Sequence, residues 1–208
     1  MAAKTKRHFF PWMGGVMVLL AALAAHYLLS PWGFYWKVSP EEAALRMSLV
    51  ENAETYLGLH ESEERFQELI QYYNDQPTLP MDYQLTLKDS WCAAFVTVAA
   101  LQADLTDIIP PECSCERQIG LFLELERWEE RDDIIPLPGD LIYYDFDNRR
   151  PGDCTGWADH VGIVVGTKWP FIKVIEGNWG DQVCCRYLLI NDISIRGFGQ
   201  PDYASRMR

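Results

Sequence analysis

Acidic residues are missing from the first 40 positions, histidine occurs only four times, and the chain carries no internal repeat or low-complexity run. Each shortage excludes something. Without a period, 14 Gly and 12 Pro make neither a collagen-like strand nor a disordered linker. Six Cys in 208 residues are too few for a disulfide scaffold. Basic side chains run short beyond residue 40, where fourteen Lys and Arg face thirty Asp and Glu. A region that acidic repels phosphate backbones, so no nucleic acid is expected as a partner. What is present, 49% hydrophobic and 13% aromatic residues, suffices for one medium domain with a true core.

The acid-free start reads as an address. Residues 1–8 form a basic tail, and Phe9 to Trp36 holds no charged residue over 28 positions. That exceeds the roughly 20 apolar residues needed to cross a bilayer. The expectation is a single-pass transmembrane signal anchor over 9–36, with the basic tail cytoplasmic and residues 41–208 outside the cytosol. Trp12, Trp32, Tyr35 and Trp36 suit interfacial belts. A cleaved signal peptide ending at Ala22-Leu23-Ala24 is the competing reading; it yields a secreted domain.

Beyond it, Ser39-Pro40-Glu41-Glu42 has the chemistry of a helix start, and apolar residues recur at helical spacing to Gly58. A second helix is expected over Ser62–Tyr73 and a loop over Asn74–Lys88. The span Trp91–Gln102, apolar nearly all round, reads as a buried helix. Ile119–Trp128 is another helical candidate. After the turn Pro138-Gly139-Asp140 the pattern changes to strands: Leu141–Tyr144, Val161–Val165, Ile172–Ile175, Val183–Ile190 and Ile193–Phe198. Helices first and strands later indicate an α+β domain with a mostly antiparallel sheet.

Of the four histidines, His8 and His26 lie in or beside the N-terminal apolar segment, leaving His60 and His160 for chemistry. His60 follows Gly58-Leu59 and reads as a surface or capping residue. Cys92 opens the buried helix, where unpaired N–H groups and the positive helix end favour a thiolate. An imidazole beside it completes a Cys–His nucleophile pair. His160 starts a strand, and Glu176 and Asn178 end the next one, so a hairpin returns them toward His160 to hold its tautomer. Sharing a face with His160 requires an odd number of unpaired residues in the connection around Lys168-Trp169-Pro170, unless a bulge resets the count. Asp159, alternating with His160, is expected to point away from the site.

Five stretches then carry a resemblance: Trp91–Val96, Pro138–Asp145, Ala158–Val164, Ile175–Asn178 and Ile195–Tyr203. In that order and spacing they resemble a CHAP domain, the cysteine- and histidine-dependent amidohydrolase/peptidase family with a papain-like fold. The resemblance implies Cys92 as nucleophile, His160 as general base and acid, Glu176 as its orienting partner and Asn178 as a further polar member. It implies peptidoglycan as substrate, cleaved at an N-acetylmuramoyl-L-alanine amide or within its peptides, with no cofactor. Trp91, Trp157 and Trp179 are candidates to line a cleft for that substrate; Trp91 suits core packing equally, and Trp179 could shield His160. Tyr83, Gln84 or Thr86 could join the Cys92 backbone N–H in an oxyanion hole.

The chain also departs from the family pattern. The loop Asn148–Trp157 is long, and Cys184-Cys185 sits where polar or basic residues would be expected. Asn74–Lys88 lacks the alternating acids of a calcium loop, so no metal is expected. Cys113-Ser114-Cys115 and Cys184-Cys185 have the wrong spacing for zinc. A disulfide from Cys113 or Cys115 to Cys154, Cys184 or Cys185 is the expectation instead, with connectivity open.

Overall fold

The computed structural model describes residues 11–29, 38–147 and 155–207. It divides into two units, Met1–Pro31 and Trp32–Arg208. The first contains one helix, α1 (Pro11–Leu29). Contrary to the expected anchor, among the described residues no helix is long and apolar enough to cross a membrane. The helix has 19 residues, just under the roughly 20 that a span requires. The single-pass transmembrane anchor expected over 9–36 is therefore not formed among the described residues. The basic tail and the aromatic positions Trp32, Tyr35 and Trp36 lie outside the described residues.

The second unit is α+β. Helix α2 (Pro40–Glu54) starts where the capping chemistry predicts, with the Ser39 hydroxyl accepting from Glu42 N–H at 3.1 Å. α3 (Glu64–Asn74), α4 (Cys92–Gln102) and α5 (Cys115–Glu124) follow. The strands are β1 (Trp128–Glu129), β2 (Leu141–Tyr144), β3 (His160–Lys168), β4 (Phe171–Glu176), β5 (Cys184–Leu189) and β6 (Ile195–Gly199). They form one antiparallel sheet in the order β1-β6-β2-β3-β4-β5. The helix expected over Ile119–Trp128 begins earlier and ends at Glu124; Trp128 instead pairs with Gly199 in the sheet.

Both faces of the central strands are covered, because successive strand residues point to opposite sides. Leu141, Tyr143, Val161, Ile163 and Ile175 share a core with the helices. Ile142, Tyr144, Val164, Val174 and Phe198 form a second cluster. The Pro138-Gly139-Asp140 turn is pinned to α2: Arg46 donates to Asp140 at 2.8 Å and to the Pro138 carbonyl at 3.1 Å. Gly139 takes φ +81°, and a Cβ there would lie 2.6 Å from the Tyr203 hydroxyl.

The β3–β4 hairpin settles the parity condition. Lys168 pairs with Phe171, so the turn contains only Trp169 and Pro170, an even number. Alone, that would turn Glu176 away from the His160 face. Val165 is an extra residue between the pairs Val164–Val174 and Gly166–Lys173, and this bulge restores the alignment. Past the Ile163–Ile175 pair, Gly162 comes opposite Glu176, and His160 faces the same way two residues on.

Candidate active site

Cys92 is the first residue of α4 and is buried, at 4% exposure. Trp91 before it provides no side-chain cap, so the first-turn N–H groups stay available to the sulfur. Trp91 itself is core: its ring packs 5.0 Å from Phe66 and 6.4 Å from Phe95 and is 1% exposed. Gly177 fits against this pair only because it lacks a Cβ, which would lie 2.6 Å from Phe95 Cβ and 2.8 Å from the Trp91 ring. That contact seats the end of β4 against the start of α4.

His160 is the first residue of β3 and is 6% exposed. Its Nε2 lies 3.9 Å from Glu176 Oε2, a charge contact longer than a hydrogen bond. Nε2 is buried and makes no hydrogen bond among the described residues. Gly162 makes the approach of Glu176 possible, since a Cβ there would stand 2.7 Å from Glu176 Cγ. Glu176 is fully buried, and Arg186 on β5 donates to both its oxygens, at 3.2 and 2.9 Å. The Arg186 guanidinium lies 3.4 Å from the centre of the Trp179 ring, and Trp179 lies 5.6 Å from His160. Tyr144 and Phe146 complete an aromatic wall around the imidazole, at 5.7 and 6.0 Å.

Protonation follows from these contacts. The Cys92 thiol is held well below its ordinary value, first by a hydrogen bond from Cys115, then by hydrogen bonding and charge from His160, with burial opposing. Burial alone would lower His160, but its hydrogen bond and charge contact with Cys92, and the charge of Glu176, bring it above its ordinary value. The two shifts favour one state, a thiolate beside an imidazolium.

The second sulfur comes from an element the sequence reading placed elsewhere. Cys115 is the first residue of α5, buried, with Sγ 3.6 Å from Cys92 Sγ. The contact pushes the Cys115 thiol up, so it donates to the Cys92 thiolate. Glu116 accepts from Ala158 N–H at 3.0 Å, tying α5 to the segment that leads into His160. Asp159 accepts from Phe146 N–H at 3.0 Å, a bond within the loop connection.

Other expected members sit differently. Asn178 adopts φ +61° in the turn after β4 and makes no hydrogen bond to His160 among the described residues. Trp157 is 74% exposed. Tyr83 and Thr86 donate their hydroxyls to Asp89, at 3.1 and 2.8 Å, and Gln84 is exposed. Asp89 also accepts from Thr86 N–H at 2.7 Å, and these bonds hold its carboxyl below the ordinary range. The exposed His60 bonds Ser62, 2.9 Å from its Nδ1.

The expected disulfide between the Cys113–Cys115 and Cys184–Cys185 groups does not form; all five described cysteines are free thiols. The first group leads into α5 and the second lies on the edge strand β5, where burial pushes Cys184 up to about 11. Cys154 and residues 148–154 of its loop lie outside the described residues. Among the described residues no group of three or more His, Cys, Asp or Glu could hold a metal ion.

Cys115, Arg186 and Gly162 were missed by the sequence reading, though signals existed. Ser114-Cys115-Glu116 has the makings of a helix start, and a glycine inside a β-branched run marks close approach of a neighbour. A cavity of about 310 Å³ opens at the opposite end of β2, but it holds no cysteine or histidine. Its charged groups are paired, Arg46 with Glu42 and Asp140, and Arg127 with Asp202. No family model, curated protein or solved structure matches this chain, so neither the CHAP resemblance nor a papain-like arrangement gains support from comparison.

Proposed function

We propose that this chain is a cysteine amidohydrolase or peptidase of CHAP type that cleaves amide bonds in peptidoglycan. The observation that carries the proposal is Cys92 buried at the start of α4, its thiol lowered in part by His160, whose Nε2 lies 3.9 Å from the buried Glu176 carboxylate. The Cys92 thiolate attacks the amide carbon, and the N–H groups at the start of α4 receive the developing oxyanion. His160 then protonates the leaving amine, and a thioester to Cys92 remains. In the second half His160 takes a proton from water, which attacks the thioester and frees the thiol. Glu176, held by Arg186, orients the imidazole and favours its charged form. Such a substrate puts the domain outside the cytosol.

The experiment is digestion of purified peptidoglycan with wild-type protein and with Cys92→Ala, followed by mass spectrometry of the new amines. Wild-type protein should release them and Cys92→Ala should not. Lysis by Cys92→Ala, or the same inertness in both proteins, overturns the proposal.

A further inference from the structure

The contact with Cys115 lowers the Cys92 thiol, but the hydrolysis steps leave the Cys115 sulfur itself unused, and the fold holds it in place. Thr97 of α4 donates its hydroxyl to the Glu112 carbonyl at 2.7 Å and accepts from Glu112 N–H at 2.9 Å, both buried. Arg117 holds the Glu112 carboxylate at 2.8 Å, and Gln118 reaches the Pro110 carbonyl at 2.8 Å. These bonds tie the segment entering α5 to the middle of α4, so two sulfurs 23 positions apart meet at 3.6 Å.

We infer that Cys92 and Cys115 form a reversible, hydroperoxide-driven disulfide that blocks the site, a regulation that rests on the hydrolase reading. The peroxide is the one outside reactant, and it accepts the two electrons that the thiols lose. The Cys92 thiolate attacks one peroxide oxygen; an S–O bond forms, the O–O bond breaks, and hydroxide leaves as water after protonation. Cys92 is then a sulfenic acid. Cys115 loses its proton and attacks that sulfur, forming the S–S bond and expelling the hydroxyl as a second water. The two thiols lose two electrons and two protons together, and a dithiol reductant reverses the change.

Position divides the roles. The thiolate belongs to Cys92, beside His160, so Cys92 meets the oxidant. Cys115 stays protonated until the sulfenic acid forms, and its sulfur is already in contact. Both residues are under a tenth exposed, at 4% and 7%, which admits a small peroxide more readily than a protein disulfide.

The test treats the reduced full chain with hydrogen peroxide, alkylates remaining thiols after denaturation, and maps cross-linked peptides. The expected product is a Cys92–Cys115 linkage, with peptidoglycan lysis lost and then recovered on adding dithiothreitol. Cys115→Ser, compared with its own untreated activity, should lose lysis without recovery, because its sulfenic acid proceeds to the sulfinic form. If that variant fails to fold by circular dichroism, Cys115→Ala serves in its place. Absence of the linkage, pairing of Cys92 with another cysteine, or recovery in the Cys115 variants overturns the inference. A reversible linkage in a protein inert toward peptidoglycan supports the pairing and defeats the hydrolase reading alone.

Discussion

Substituting Gly162→Ala adds one methyl group at a crowded point of the β3–β4 hairpin. The new Cβ would stand 2.6 Å from Val174 Cγ1, 2.7 Å from Glu176 Cγ and 3.2 Å from the Ile175 carbonyl. None of these neighbours gives way easily. Val174 is fully buried and β-branched, so its rotamer is fixed; Glu176 is held by Arg186; the carbonyl belongs to the sheet. Overpacking of this kind costs about 1–3 kcal/mol. Removing a glycine restrains the unfolded chain and returns about 0.4–1 kcal/mol. Strain wins, leaving a net loss of about 1–2 kcal/mol. For a domain of this size that lowers Tm by roughly 2–8 °C.

Thermal unfolding followed by circular dichroism measures the loss directly. Gly120→Ala is the matched control: Gly120 lies in α5 with nothing within 4 Å of its added Cβ, so alanine should stabilise it by up to about 1 kcal/mol. The strained hairpin should also move Glu176 relative to His160, slowing iodoacetamide alkylation of Cys92 near neutral pH. A Gly162→Ala protein as stable as the parent, alkylated with an unchanged pH profile, would refute the packing argument and the role given to Gly162.

Further outcomes follow from other contacts. Arg186→Met strips the partner from a fully buried carboxylate and should cost about 3 kcal/mol in urea unfolding, whereas adding Glu176→Gln should recover part of it. Thr97→Val leaves the buried Glu112 N–H unpaired and should cost about 1–3 kcal/mol, read as a lower urea midpoint. Because the bond from Cys115 is the largest influence lowering the Cys92 thiol, Cys115→Ala should shift the alkylation profile of Cys92 to higher pH. The raised His160 contributes stability in full below pH about 6.5, lost as pH climbs through its folded value. His160→Ala should therefore narrow the stability gap to wild type as pH rises, measured by denaturant titrations from pH 5 to 9.

Some of this was legible in the chain. Ser39-Pro40-Glu41-Glu42 announced α2, the apolar run announced α4 with Cys92 at its head, and Leu141–Tyr144 stood out after its turn. The rest was hidden for physical reasons. A two-residue strand such as β1 has no period to read. The bulge at Val165 hides inside a β-branched run that looks equally good with or without it, yet it decides which face Glu176 occupies. The N-terminal stretch shows the opposite failure: 28 positions free of charge looked like a span, while the described helix there has 19 residues and no described helix is long and apolar enough to cross a membrane. The proximity of Cys115 to Cys92 depends on how α5 docks on α4, and no local pattern encodes that.

Cys92, Cys115 and His160 each stand at the first position of their element, in three separated stretches of chain. None of the three can perturb the others until the helices and the hairpin have docked. A partly folded molecule would therefore carry a slower thiol, lowered only by the N–H groups of its own helix. Reactivity toward electrophiles becomes a reporter of completed assembly, rising most at the docking event that brings Cys115 and His160 to Cys92.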